Sequence, residues 1–127
     1  MNQTARENAN GAKSVQEQDI LNELMERERF VKKAVEACKK TIVFPIGVNK
    51  ISCYSYTDSA GEYESWGECT QDGIFTCWCN WGRKHIIGRC NLTSAEDVFQ
   101  VFENEYFKDD LKRFLEEQIT KAESMAE

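Results

Sequence analysis

Proline and histidine are nearly missing from this chain of 127 residues, which has one of each. With Pro45 as its only proline and apolar residues at 41%, the chain is not broadly disordered. His85, the one imidazole, has no carboxylate close to it in sequence to orient it, which leaves little basis for acid–base or nucleophilic catalysis. Long apolar runs are also absent. Nothing approaches the roughly 18 residues that a membrane helix needs, and the polar start MNQTARENANGAK lacks the apolar segment of a secretory signal. The expectation is a soluble, cytoplasmic protein with no membrane partner. No catalytic signature, phosphate loop or standard metal motif occurs, so a non-enzymatic role is expected.

Lysine and arginine are missing from residues 51–82, which carry Asp58, Glu62, Glu64, Glu68 and Asp72. The net charge of −6 arises at the other end, where residues 91–127 hold ten acidic side chains against four basic ones. Such a chain repels a phosphate backbone, which argues against direct nucleic-acid binding. A basic protein surface is its natural complement.

Six cysteines are present, five of them between Ile51 and Cys90 together with all three tryptophans. In a reducing compartment these read as free thiols buried as small apolar groups, rather than as a disulfide framework. Zinc is a weaker reading. Cys53, Cys69, Cys77, Cys79 and Cys90, with His85, supply ligand types, but Cys77-x-Cys79 is a same-face strand pair and not a zinc knuckle. No cofactor is therefore expected.

Residues 1–13 read as a flexible tail. Ser14 and Glu17 form a capping box that opens a helix over 15–40, with apolar residues at Ile20, Leu21, Leu24, Val31, Ala34, Val35 and Cys38. The seam Leu21, Leu24, Glu28, Val31, Val35, Cys38 is nearly heptad, so a homodimer through this helix competes with packing on the chain's own sheet. Thr41–Val48 is strand-like but holds Pro45 and Gly47, which makes it an edge, a bulge or a crossover. From Asn49 the period becomes two, and turn residues at 58–61, 71–73 and 82–83 divide it into strands near 49–57, 62–70, 74–81 and 84–90. Thr93 or Ser94 caps a helix over 94–107. A second follows over 109–124, or the two run on as one. The fold class is α+β: a long N-terminal helix, an antiparallel meander of four strands (five if 41–48 joins) over 42–90, and one or two C-terminal helices, all in a single domain from residue 14 onward.

Strict alternation sorts the meander into two faces. One carries Ile51, Cys53, Ser55, Tyr63, Ser65, Gly67, Cys69, Phe75, Cys77, Cys79 and Trp81, uncharged and small enough for a helix to cover closely. Tyr63, Phe75 and Trp81 there could also line a small-molecule pocket, and Arg83, Lys84 and Arg89 could grip an anion at the sheet edge. The other face carries Lys50, Ser52, Tyr54, Tyr56, Glu62, Glu64, Trp66, Glu68, Ile74, Thr76, Trp78 and Asn80. Burying three carboxylates without partners is costly, so this second face is expected to see water or a partner. Its aromatic residues among carboxylates have the composition of an interface hot spot, or else pack beneath the second helical arm and leave only the glutamates at the rim. The functional expectation is an acidic binding protein that covers a basic partner surface through Tyr54, Tyr56, Glu62, Glu64, Trp66, Glu68 and Trp78. Inhibitor, immunity and adaptor roles fit, as does nucleic-acid mimicry of the kind used by phage inhibitors of host defence proteins. The alternative is a small-molecule or structural-zinc domain built on the cysteine-rich face.

Overall fold

Helix α1 (Asn2–Thr41) opens the chain, and the antiparallel meander follows as β1 (Lys50–Thr57), β2 (Glu64–Thr70), β3 (Ile74–Cys79) and β4 (His85–Asn91). Helices α2 (Ala95–Val101) and α3 (Lys108–Met125) complete an α+β fold. The computed structural model describes residues 2–81 and 85–126, with residues 2–14 described by backbone alone. The expected third turn at Gly82-Arg83 lies outside the described residues.

The chain divides into two compact units, Met1–Phe30 and Val31–Glu127. The first is helix throughout its described length, so α1 begins near residue 2 and not at the Ser14 capping box. Between residues 2 and 13 there is no proline and Gly11 is the one glycine, and extending a nucleated helix costs little per residue. The segment read as a flexible tail is therefore helical. Val15, Ile20, Leu21, Leu24 and Met25 are exposed.

In the second unit, the last turns of α1 bury Val31, Ala34, Val35 and Cys38, which recur at helical spacing. Helix α3 buries Asp110, Leu111, Phe114, Leu115 and Gln118 on one stripe. The two helices are joined where Thr41 Oγ1 donates to Gln118 Oε1 at 2.6 Å. Residues 42–49 form no strand. Val48 N–H closes a turn on the Pro45 carbonyl, and Gly47 takes a positive φ of 82°. Four strands, not five, make the sheet. The tight turn after β2 is closed by Gly73, whose φ of 90° suits a residue without Cβ.

Ser94 caps α2 by accepting the Asp97 N–H at 3.2 Å. Asn104 then separates α2 from α3, because its Oδ1 accepts the backbone N–H groups of Tyr106 and Phe107. These side-chain bonds compete with helix continuation, and two helices result.

Ser65, Gly67, Cys69, Phe75, Cys77 and Cys79 form the covered face of the sheet. Phe75 stacks on Phe114 at 4.1 Å between ring centroids and on Phe107 at 6.0 Å. The rings come this close because Gly67 and Gly88 carry no side chains. A Cβ on Gly67 would overlap the Phe75 ring, and one on Gly88 would overlap Phe107. Gly88→Ala is accordingly expected to cost about 1–3 kcal/mol through overpacking, read as a lowered urea midpoint. A midpoint equal to that of the native chain would contradict this packing.

Candidate functional site

Strand β1 departs from strict alternation. Its register with β2 runs Ser52 opposite Glu68 and then Tyr54 opposite Gly67, so one extra residue, Cys53, is accommodated as a bulge. Past the bulge every side chain changes face. Tyr54 and Tyr56 thus join the covered side instead of the open one. Tyr54 is 4% exposed and meets Phe75 and Phe114 edge-on. Tyr56 is half-buried beneath the Arg113 guanidinium, whose Cζ lies 3.6 Å from the ring centroid. Assigning these two tyrosines to the open face fails for that reason. Ser55 moves the other way.

The remaining open-face residues form ordered rows across the strands. Ser55, Trp66, Trp78 and Ile86 lie in successive register, and the next row is Ser52, Glu68, Thr76 and Arg89. A second irregularity, between Cys77 and Trp78, sets Ile86 rather than Ile87 beside Trp78. Both tryptophans are half-buried, while Ser52, Ser55, Glu64, Ile86 and Arg89 around them are exposed. Glu64 borders the tryptophan row on one side and Glu68 on the other. Lys50 pairs with Glu68 at 3.4 Å, and Arg89 Nε donates to Thr76 Oγ1 at 3.2 Å. Glu62 lies exposed in the turn before β2, where its backbone N–H donates to Asp58 Oδ1. Among the described residues neither Glu62 nor Glu64 forms an ion pair. The anion site imagined around Arg83, Lys84 and Arg89 falls largely outside the described residues.

Beneath the covered face sits a carboxylate, Asp110, only 2% exposed. Its Oδ1 accepts from Tyr54 OH at 2.7 Å, from Ser65 Oγ, and from Arg113 at 2.8 Å; its Oδ2 accepts from Tyr63 OH at 2.6 Å. Arg113 also donates to Tyr54 OH at 2.9 Å. Four donors replace the water that this anion loses on burial, which is the condition for keeping it inside. Burial and the Asp110 carboxylate push both tyrosine hydroxyls above their usual range. Burial would lower the Arg113 guanidinium, but the Tyr54 bond and the Asp110 charge hold it up. With four donors committed to it, Asp110 has few lone pairs left for a ligand. Its role is to lock α3 to β1 and β2.

No family model, curated protein or solved structure matches this chain. Its chemistry has to be read from its own groups.

All six cysteines are unbridged, and five of them are buried. Cys53, Cys69, Cys77, Cys79 and Cys90 lie on three different strands or at the bulge. Among the described residues no three histidine, cysteine, aspartate or glutamate side chains are grouped to hold a metal ion. His85 stands exposed opposite Cys79 in the ladder. Burial pushes the Cys38 and Cys90 thiols up to about 12 and raises Cys77 as well. Cys53, hydrogen-bonded to Cys69, is also raised. Such thiols stay protonated at neutral pH and are poor nucleophiles.

Sequence reasoning missed Asp110 and Arg113. A signal was available, since Asp110 falls in the 107–111–114–115–118 apolar stripe, where a solvated acid has no place.

Removing the carboxylate strands its donors. Asp110→Ala is expected to lose about 3–5 kcal/mol, as for other broken buried ion pairs, and denaturant titration measures it. Tyr63→Phe, which drops one of four donors, should lose about 1–2 kcal/mol. Equal losses in the two variants would exclude Asp110 as the centre of the network.

The raised thiols set the alkaline limit. Above about pH 9 the unfolded chain gives up thiol protons that folded Cys38 and Cys90 retain, so the unfolded state binds fewer protons and stability falls as pH rises. Each such thiol adds a slope of about −1.4 kcal/mol per pH unit until its folded value near 12 is reached. A urea midpoint unchanged between about pH 8 and 11 would contradict this.

Proposed function

We propose that this protein is a non-enzymatic binding protein whose open sheet face covers a basic surface on a partner protein. The observation that carries the reading is the row Trp66–Trp78–Ile86, apolar and only partly buried, with Glu64 and Glu68 on its two borders. Large rings on an otherwise solvated strand face supply anchor area at low entropic cost. Surrounding carboxylates favour lysine- and arginine-rich partners and speed encounter. Among the described residues Glu62 and Glu64 form no ion pair, so they are the carboxylates that would pair with such a surface. Glu68 would first have to share or leave Lys50. Tyr54 takes no part in this contact, because it is buried against α3.

The overall charge of −6 suits the same role. Inhibitor, immunity and adaptor proteins all act by this kind of steric and electrostatic cover. Mimicry of a nucleic acid is its narrower form, in which the carboxylates occupy a groove built for phosphates.

Trp66→Ala combined with Glu64→Lys tests the assignment. Both side chains lie on the solvated face, so the fold should persist by circular dichroism. In affinity capture from a native lysate, the native chain is expected to retain a basic protein at low salt and release it at high salt. The double variant should retain at least tenfold less of that protein. Equal retention by the two chains would rule this face out.

A further inference from the structure

A recess lies on the covered side of the sheet, where the ends of β1–β4 meet the start of α3. It has a volume of about 520 Å³, in the range of small-ligand sites. Its walls are aromatic: Tyr56, Tyr63, Trp81 and Tyr106. Tyr63 and Trp81 meet at 77° with centroids 6.1 Å apart, so they form two walls of a corner. Tyr56 continues the wall 6.3 Å from Tyr63. Trp81 is 68% exposed and Tyr106 is 75% exposed, although both border a cavity that could have buried them. Of the three rings that sequence grouped as pocket-lining, Tyr63 and Trp81 are here, while Phe75 is sealed in the core.

The polar part of the lining sets the ligand's sign. Asp58, Glu105, Asp109 and Asp110 contribute carboxylates, and Arg113 contributes the one lysine or arginine side chain of the described lining. Asp110 and Arg113 neutralise each other at 2.8 Å, which leaves three carboxylates of the described lining, Asp58, Glu105 and Asp109, around the aromatic corner. Arg113 lying over Tyr56 shows that a ring in this recess already holds a cation on its face.

We infer that this recess binds an organic cation with an alkylated ammonium head, of the choline type. A quaternary ammonium sheds water readily and is attracted to the negative faces of tryptophan and tyrosine. Its methyl groups fill the apolar corner, and Glu105 and Asp109 neutralise its charge at the rim. A neutral ligand of the same shape would gain the apolar contact but not the attraction to the rings and carboxylates. This site lies apart from the tryptophan row of the open face and does not depend on it.

Calorimetric titration with choline, set beside its neutral isostere 3,3-dimethylbutan-1-ol, tests the inference. Choline is expected to saturate one site below about 10 mM, with the isostere at least tenfold weaker. Trp81→Ala and Tyr106→Ala should each weaken choline about tenfold, and Asp109→Asn should weaken it severalfold and flatten its salt dependence. All three side chains are exposed, so these variants keep the fold. Trp66→Ala should bind choline as the native chain does. Absence of saturation would overturn the inference. So would equal affinity for the isostere, or full choline binding by the Trp81→Ala variant.

Discussion

The charge of one carboxylate, held out of water, is the constraint around which this fold closes. Asp110 enters the interior on the first turn of α3 and is tolerated because β1 contributes Tyr54, the segment leading into β2 contributes Tyr63, β2 contributes Ser65 and α3 itself contributes Arg113. Each donor comes from an element that must already be in place. The network therefore rewards a single arrangement of helix on sheet, whereas apolar contacts alone would accept several. Around it lies the buried phenylalanine stack. Phe75, Phe107 and Phe114 approach as closely as they do because two strand positions are glycine.

Much of this was legible in the chain. Helical spacing marked both long helices, and the turn residues at 58–61 and 71–73 marked the first two strand reversals. The contrast between a small uncharged set and a charged set marked two faces, but not which of them α3 would cover. What escaped was local phase. Counting by twos assumes that no strand carries an extra residue, and Cys53 is one. Nothing in Ser52-Cys53-Tyr54 announces a bulge, since cysteine has no special backbone preference. The bulge is selected from a distance, by the gain of bringing Tyr54 to Asp110. The helix over residues 2–13 escaped for a different reason: its polar composition resembles a tail, but polarity does not oppose a helix that has already nucleated.

The cysteines show how composition can suggest more chemistry than geometry allows. Five in forty residues invite a metal centre. In the sheet they occupy positions where small size matters, beneath aromatic rings or beside a glycine. Burial is what raises the proton affinity of Cys77 and Cys90. They behave as packing residues that happen to contain sulfur.

The bulge at Cys53 also governs which changes in length this protein tolerates. Deleting Cys53 would produce a strand that looks more regular, with an unbroken ladder against β2. Ser52 would then precede Tyr54 directly, opposite Glu68 and Gly67, so Tyr54 and Tyr56 would keep the covered side and Ser55 the open one. A shortened β1 would thus keep the anchor that fixes α3, whereas pairing Cys53 into the ladder would turn Tyr54 outward and take a donor from Asp110. In evolutionary terms the extra residue acts as a reading-frame mark within the strand: the bulge has to absorb it, or the meaning of every position that follows shifts.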